Sequence, residues 1–198
     1  YFNTQYGDRL DGKSAMYLKG IKDASMRMRL LIIDLLSFSQ VNKQKLELNE
    51  VDLSSVMKEA LSDYELIIKE KKANITIDPM PVIEGDKTML LRLFENLLSN
   101  ALKYSHEGIA PEISIQAVQN NGTVEIEVRD NGIGFEEEFL PKLFTLFQRL
   151  HPKQKFEGTG LGLAICRKIA EMHNGSITAK SRLNKGSSFF VSLPLKQK

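Results

Sequence analysis

Three polar side chains of this 198-residue chain recur at a spacing that brings them together on a helix. Asn96, Asn100 and Lys103 share one face at about 3.6 residues per turn, and apolar residues occupy the opposite face. An Asn oxygen is a neutral, hard ligand suited to Mg²⁺ that already carries anionic phosphates, and Lys adds a point charge. The alternative is that the two Asn simply belong to a solvated helix face.

A second segment, Asp130-Asn131-Gly132-Ile133-Gly134, places a carboxylate at the end of a predicted strand. Such a carboxylate accepts a hydrogen bond from an exocyclic amine, as on adenine, and repels the carbonyl that guanine presents at the same place. The glycines allow the backbone to approach a flat ring closely. An Asn-Gly pair after a strand is also a common turn signal, so a plain turn is the alternative.

A third segment, Gly158-Thr159-Gly160-Leu161-Gly162-Leu163, runs directly into a predicted helix. A glycine-rich turn before a helix presents backbone N–H groups and the positive end of the helix dipole to anions. The segment lacks the Gly-Lys-Ser/Thr of a P-loop and does not match the dinucleotide fingerprint, so an ordinary glycine-rich loop is the alternative. A fourth segment, residues 186–190, predicts only a turn before an aromatic core strand.

The stretch between the second and third segments predicts a lid, because it is long and has few signals of regular structure. Its cationic side chains are candidates for contact with a polyphosphate, whereas core packing is the alternative for its Phe residues. The side chains concerned are Phe144, Phe147, Arg149, Lys153, Lys155 and Phe156.

The elements that must position these segments begin with one long helix. Residues 11–40 contain apolar residues at three-and-four spacing and no proline, which predicts an amphipathic helix. We expect a helix of this length to pack in a helical bundle, where a second copy of the chain would supply the missing partners. Residues 43–52 are polar and predict a linker, closed by Asp52 as the N-cap of a helix over residues 53–72.

The rest of the chain alternates short strand-like runs with helices. Asn121-Gly122 lies between two such runs and predicts a hairpin turn. The order is helix, two strands, helix, hairpin, irregular segment, helix, hairpin, which predicts an α+β fold with helices on one face of a largely antiparallel sheet. The strands are predicted at residues 75–77, 81–84, 112–118, 123–129, 176–181 and 188–193, and the helices at residues 87–104 and 161–173.

The composition excludes several function classes. A formal net charge of +2 is too small to indicate nucleic acid or an anionic membrane as the main partner. The chain has 1 Cys and no apolar run long enough to cross a membrane, which indicates a cytoplasmic setting without membrane contact by this chain. Because it starts at Tyr1 rather than Met, we expect it to be part of a longer protein.

In their order and rough spacing, these motifs resemble the N, G1, F, G2 and G3 boxes of the catalytic ATP-binding domain of sensor histidine kinases, the Bergerat-type ATP fold of two-component systems. The resemblance is carried by residues 96–104, Asp130-x-Gly132-x-Gly134, Phe144-x-x-Phe147-x-Arg149 and Gly158-x-Gly160-x-Gly162-Leu163. It makes residues 1–42 part of the family's dimerisation and phosphotransfer bundle, with residues 1–10 as the end of its first helix. Residues 43–52 would be a linker and residues 53–198 the catalytic domain.

The resemblance implies a two-layer α/β sandwich that binds ATP with Mg²⁺. It also implies transfer of the γ-phosphate to a histidine of the bundle, relay to a response regulator receiver domain, and a homodimer through the bundle. Asn100 would ligate the metal, Asp130 would select adenine, and Gly132 and Gly134 would admit the base. The other residues implied at the nucleotide are Asn96, Lys103, Tyr104, Ile133, Phe147, Arg149, Gly158, Thr159, Gly160, Leu161, Gly162 and Leu163.

Asn96 distinguishes the kinases from the hydrolytic members of the same fold. The topoisomerase, heat-shock chaperone and mismatch-repair ATPases carry a Glu four residues before the metal-binding Asn, where this chain has Asn96. Glu95 lies about 140° round the helix from Asn100, so we do not expect it to replace that Glu. The resemblance therefore implies poor hydrolysis and a protein acceptor for the phosphate.

The acceptor is not among the three histidines of the chain, His106, His151 and His173, because none lies in the bundle segment. We expect it before Tyr1, and we expect the chain to bind ATP without phosphorylating itself. Two alternatives stay open. One is a hydrolytic ATPase of the same fold, and the other is a nucleotide-binding regulatory module or pseudokinase that acts by interaction.

Overall fold

The long N-terminal helix predicted from the apolar spacing is present. The computed structural model describes residues 12–43, 45–148 and 158–197, and α1 (Gly12–Lys43) is a single helix of 32 residues. Phe38 packs against the hydrophobic core, whereas Ile21, Met28 and Ile32 are each at least 58% exposed. One side of α1 is therefore left uncovered by the residues that the structure describes. The helix end predicted at residues 1–10 lies outside the described residues.

A five-stranded sheet forms one layer of the remaining chain. The described strands are β1 (Asn49–Asp52), β2 (Asn74–Ile77), β3 (Val82–Gly85), β4 (Glu112–Asn120), β5 (Thr123–Asp130), β6 (Ser176–Arg182) and β7 (Gly186–Pro194). Their order in the large sheet is β2-β4-β5-β7-β6, with β2 parallel to β4 and the other pairs antiparallel. Asn121 and Gly122 both have positive φ, as the predicted tight hairpin requires.

Helices form the second layer. They are α2 (Leu53–Ser62), α3 (Glu65–Lys71), α4 (Lys87–Lys103) and α5 (Gly162–Met172), with a 3₁₀ helix at Glu137–Lys142. In β5, Val124, Ile126 and Val128 are buried and Glu125 is exposed, so only one face of the sheet is covered. The α+β sandwich is confirmed. Within the described ranges, no helix is both long and apolar enough to cross a lipid bilayer.

The segment predicted as a linker contains a strand. Residues 49–52 form β1, which pairs antiparallel with β3 as a separate two-stranded sheet. Val51 is the one buried residue of β1. A single buried apolar residue in a strand of four does not produce the alternating pattern by which a strand is predicted. The predicted strand at residues 81–84 therefore pairs with this segment rather than with the large sheet.

The helix predicted over residues 53–72 is two helices. Asp52 caps the first as expected, since its Oδ1 accepts a hydrogen bond from Ser54 N at 2.9 Å. The break falls at residues 63–64, where the Tyr64 hydroxyl donates to the Glu95 carbonyl at 3.3 Å. This contact to α4 is a tertiary one, which the periodicity of the segment itself does not reveal.

Candidate functional site

One pocket of about 340 Å³ collects most of the polar and glycine-rich residues that the sequence singles out. This volume is within the range of small-molecule sites. The predicted residues that line it are Asn96, Asn100, Lys103, Tyr104, Asp130, Gly134, Gly158, Thr159, Gly160, Gly162 and Leu163. Segments that are up to 67 residues apart in sequence, from Asn96 to Leu163, thus meet in one cavity.

The helix α4 supplies one wall of the pocket. Its buried residues, among them Leu93, Phe94 and Leu97, face the core, which turns Asn96 and Asn100 toward the cavity. The predicted division of this helix into an apolar and a polar face is confirmed. A solvated face alone does not account for the Asn residues, because they line a cavity with other elements opposite.

Lys103 is held in place by its neighbour. Its Nζ donates to the Tyr104 hydroxyl at 3.0 Å and lies 4.5 Å from the centre of the same ring. A Cβ on Gly158 would lie 2.6 Å from this Nζ, so the ammonium group sits directly beside the glycine-rich loop. The cation therefore faces backbone that is suited to binding phosphate.

Asp130 lies at the end of β5, largely buried, and lines the pocket. Its Oδ1 accepts hydrogen bonds from Gly132 N at 2.8 Å and Ser187 N at 3.2 Å. Burial raises the pKa of this carboxyl to about 6, although both backbone hydrogen bonds lower it. Because Oδ1 is occupied by protein donors, Oδ2 is the oxygen left to bind a ligand.

Gly132 and Ile133, which the sequence predicts at the nucleotide, do not line the cavity. They pack the turn after β5 against the C-terminal end of α4. A Cβ on Gly132 would collide with the Tyr104 carbonyl, and Ile133 N donates to that same carbonyl at 2.9 Å. Gly134 does line the cavity, and its positive φ of 57° and its contact with the Arg182 carbonyl both require glycine. The glycines thus serve close backbone packing around the pocket.

The third segment joins α5 to the pocket. Gly158, Thr159, Gly160 and Gly162 line the cavity, while the Leu161 side chain is fully buried in the core instead. The Thr159 hydroxyl accepts a hydrogen bond from Leu161 N at 3.4 Å. The segment leads directly into the N-terminus of α5, which is the loop-to-helix arrangement that its sequence predicts.

The segment predicted as a lid is described as far as Gln148, and the next described residue is Gly158. Phe147 has a left-handed φ of 62°, is 55% exposed and does not line the pocket, whereas the next residue, Gln148, does. Phe144 packs against the core. Arg149, His151, Lys153, Lys155 and Phe156 lie outside the described residues.

Seven further residues line the pocket that sequence reasoning did not assign to it. Ser99 is adjacent to Asn100 on α4, and Ser187 and Phe189 lie within the weak fourth segment, so the sequence offered a signal for these three. Leu30 comes from α1, and no local pattern links that helix to a distant cavity. The full set is Leu30, Ser99, Phe135, Leu143, Gln148, Ser187 and Phe189.

The protein itself offers little for a metal ion. The described residues contain no group of three or more His, Cys, Asp or Glu side chains arranged to hold one. Asn100 in the pocket provides a single neutral oxygen. This donor set fits Mg²⁺ that arrives with nucleotide phosphates, because that ion keeps several waters and takes only one or two protein ligands.

Neither described histidine belongs to the pocket. His173 is fully buried, accepts a hydrogen bond from Asp86 N through Nε2 at 3.0 Å, and has Nδ1 2.8 Å from the Ile169 carbonyl. His106 follows α4 and is partly buried outside the pocket lining. A buried ring with both nitrogens engaged cannot accept a phosphate, so His173 is excluded as an acceptor.

Residues 85–197 match the protein family described as histidine kinase-, DNA gyrase B-, and HSP90-like ATPase. Among curated proteins, the chain is similar to cyanobacterial phytochrome A of Nostoc sp. (strain PCC 7120 / SAG 25.82 / UTEX 2576), with 37% identity over 191 residues. That alignment covers 96% of this chain and 25% of the relative, so the chain spans about a quarter of that protein's length.

Solved structures of two other proteins share the fold, and one of them, ThkA, is a histidine kinase. The catalytic domain of ThkA is 28% identical, with a TM-score of 0.66 over 76% of this chain and 97% of that domain. Full-length ShkA, solved in complex with AMPPNP, is 22% identical with a TM-score of 0.75 over 96% of this chain and 40% of its own. ThkA has also been solved in complex with the response regulator TrrA, where 98% of this chain and 55% of that one align at 24% identity and a TM-score of 0.73.

Proposed function

The chain belongs to the histidine kinase-, DNA gyrase B-, and HSP90-like ATPase family, and on this premise we propose that it is the catalytic ATP-binding part of a sensor histidine kinase. The pocket would bind ATP with Mg²⁺ and present the γ-phosphate to a histidine on a dimerisation bundle. The phosphate would then pass to an Asp of a response regulator receiver domain.

One observation carries this proposal: a single cavity has an acceptor carboxylate in one part of its wall and phosphate-binding groups in another. Asp130 provides the carboxylate, and its Oδ2 would accept a hydrogen bond from a base amine. Lys103 and the loop 158–162 provide a cation and backbone N–H groups for the phosphates. These are the groups that an adenine nucleotide requires.

The residues of the site would act by positioning and charge neutralisation, which phosphoryl transfer mainly requires. Asn100 would hold Mg²⁺ through its carboxamide oxygen, and the bound ion would neutralise charge on the phosphates. Lys103 would bind a phosphate oxygen, held in position by the Tyr104 hydroxyl. Phe147 and Arg149 are proposed to join the site from the lid. Ile133 and Leu161 would support it from behind.

The nature of Asn96 favours transfer over hydrolysis. Asn96 cannot act as a base on water, and its Nδ2 already donates to the Arg92 carbonyl at 2.8 Å. Glu95 does not line the pocket; burial and the carboxylate of Asp63 raise the pKa of its carboxyl. Neither Asn96 nor Glu95 can therefore take the place of the Glu that activates water in the hydrolytic members of the fold, and the γ-phosphate would be directed to a protein acceptor.

Two partners follow from this proposal. The exposed apolar side of α1 supports a homodimer through the bundle, because such a surface is normally covered in a helical bundle. A response regulator is the second partner, and the complex of ThkA with TrrA supports it for a protein of the same fold. With only 1 Cys and no disulfide framework, we place the domain in the cytoplasm.

The direct test is to incubate the chain with γ-labelled ATP and Mg²⁺, with and without a separate bundle fragment that carries an acceptor histidine. We expect acid-labile label on the fragment and none on the chain alone. Asn100→Ala should abolish the transfer. Acid-labile label on the isolated chain would contradict the expectation that its own histidines are not acceptors.

The same experiment tests the two alternatives. Steady release of inorganic phosphate in the absence of an acceptor would favour a hydrolytic ATPase of this fold. Tight ATP binding without transfer to any bundle fragment would favour a regulatory module or pseudokinase. Absence of adenine-nucleotide binding would overturn the proposed function altogether.

A further inference from the structure

Two serine hydroxyls meet immediately behind Asp130. Ser187 Oγ lies 3.1 Å from Ser181 Oγ, and Ser187 N donates to Asp130 Oδ1 at 3.2 Å. Ser187 lines the pocket, whereas Ser181 is buried and does not line it. Ser181 can therefore act on a ligand only indirectly, through the pocket residues that it contacts, and Ser187 is the one whose hydroxyl group it meets.

The hydrogen-bond partners of Ser181 decide which way its contact with Ser187 runs. A serine hydroxyl has one hydrogen to donate and can accept twice. Ser181 Oγ accepts from Phe135 N at 2.8 Å and donates its single hydrogen to the Gly186 carbonyl at 3.0 Å. The remaining contact must therefore have Ser187 as donor and Ser181 as acceptor.

As a consequence, the end of the cavity next to Asp130 presents hydrogen-bond acceptors and no hydroxyl donor from Ser187. Because the Ser187 hydrogen is directed to Ser181, only the lone pairs of Ser187 Oγ are left for the pocket. Asp130 adds Oδ2, which is also an acceptor when the carboxyl is ionised. A ligand amine can donate to these two acceptors, Ser187 Oγ and Asp130 Oδ2. A ligand carbonyl at the same place is repelled, because its own lone pairs face theirs.

We propose that Ser181 is a positioning residue that holds the Ser187 hydroxyl as an acceptor and thereby selects 6-amino over 6-oxo purine nucleotides. This inference rests on the proposed binding of purine nucleotides in the pocket. Without the Ser181 hydroxyl, the Ser187 hydrogen is released and can rotate into the cavity to bind a carbonyl. Discrimination against a 6-oxo base then falls, although neither Asp130 nor the ligand has changed.

The test measures the affinities for ATP and ITP, each with Mg²⁺, by calorimetry on the whole chain. The readout is the ratio of the ITP to the ATP dissociation constant. Ser181→Ala should lower this ratio about tenfold, the effect of one misdirected buried hydrogen bond. Ser181→Cys keeps the size and removes most of the hydrogen-bonding capacity, so it should act in the same direction if Ser181→Ala does not fold. Ser176→Ala, at an exposed position of the same strand, is the matched control and should leave the ratio unchanged.

A double variant separates action through Ser187 from a general loosening of the fold. If Ser181 acts through Ser187, adding Ser181→Ala to Ser187→Ala should leave the ratio where Ser187→Ala alone puts it. Equal losses of ATP and ITP affinity in Ser181→Ala would overturn the inference and reduce Ser181 to a structural role. Failure of the unaltered chain to bind either nucleotide would instead refute the proposed function.

Discussion

Asn96 on α4 and Gly162 at the start of α5 face each other at the edge of the pocket. A Cβ on Gly162 would lie 2.7 Å from Asn96 Oδ1, a distance that requires one of the two residues to move. Asn96 is restrained, because its Nδ2 donates to the Arg92 carbonyl at 2.8 Å. The close approach of the two helices at this point therefore depends on glycine.

Gly162→Ala should weaken ATP binding about tenfold, because the added methyl group displaces either the Asn96 carboxamide or the first turn of α5, where phosphate would bind. The measurement is the ATP dissociation constant in the presence of Mg²⁺. Asn96→Ala removes the colliding oxygen, so the same Gly162→Ala change made in that background should cost less.

Gly20→Ala is a suitable control for the Gly162 experiment. Gly20 lies within α1, and a Cβ there meets nothing within 4 Å. The change should leave ATP affinity unaltered and stabilise the helix by about 1 kcal/mol through propensity alone. Equal effects of Gly162→Ala in the presence and absence of Asn96 would contradict the proposed contact.

His173→Ala should lower the free energy of unfolding by about 2–4 kcal/mol, because a fully buried ring is lost together with its hydrogen bonds to Asp86 N and the Ile169 carbonyl. Urea denaturation at pH 7.5 measures this change. His106→Ala, at a less buried position, should change the free energy of unfolding by less than about 1 kcal/mol.

The pH dependence of stability provides a second measurement on His173. Burial lowers the pKa of this imidazole in the folded state, so below the ordinary pKa of 6.5 the unfolded chain binds a proton that the folded chain does not. The stability that the neutral, buried His173 ring contributes is therefore fully present above pH 6.5 and is lost as the pH falls below it. The difference in stability between the unaltered chain and His173→Ala should shrink from pH 7.5 to 5.5, and a constant difference would argue against burial of a neutral ring.

Most of the helices and strands could be predicted, because the periodicity of apolar residues within each segment indicates its secondary structure. The buried face of α4 and the alternation in β5 are properties of contiguous residues. The strand β1 could not be predicted, because its pairing partner β3 lies 30 residues further along the chain and only Val51 is buried. The break at residues 63–64 likewise coincides with a contact between Tyr64 and α4, which no pattern in residues 53–72 shows.

For the site, too, local sequence patterns could be predicted and long-range contacts could not. Asn100, Lys103 and Asp130 were predictable because a motif carries them in a recognisable order. Leu30 was not, since it reaches the cavity only through the docking of α1. Ser181 was not either, because its importance comes from a hydrogen bond between two strands rather than from its neighbours in sequence.

Lys103→Met should weaken ATP binding about tenfold while leaving adenosine binding unchanged, because the ammonium group lies beside Gly158 in the loop that we propose binds the phosphates. The two dissociation constants, measured at low and high salt, test this, and the effect on ATP should diminish as salt rises. Lys87→Met, at the other end of α4 in an exposed ion pair with Glu59, is the matched control. A parallel loss of adenosine affinity would show that Lys103 supports the fold of the pocket instead.

Burial of the ionised Asp130 carboxyl lowers the stability of the nucleotide-free protein. Its pKa is about 6 in the folded state against an ordinary value of 3.8, so between these values the folded chain binds more protons than the unfolded chain. The linked stabilisation is present at acidic pH and is lost as the pH rises through about 6. At neutral pH, therefore, an ionised Asp130 destabilises the nucleotide-free chain.

Asp130→Asn should consequently stabilise the nucleotide-free chain at pH 7.5 by about 1 kcal/mol, and the gain should shrink as the pH is lowered from 6 to 4. The Asn oxygen can still accept from Gly132 N and Ser187 N, which leaves its NH₂ group directed at the ligand position of Oδ2. A donor there opposes a base amine, so ATP affinity should fall about 100-fold. Thermal denaturation across pH and calorimetry with ATP measure both effects. Asp78→Asn, at an exposed carboxylate, serves as the control, and unchanged ATP affinity in Asp130→Asn would remove Asp130 from the site.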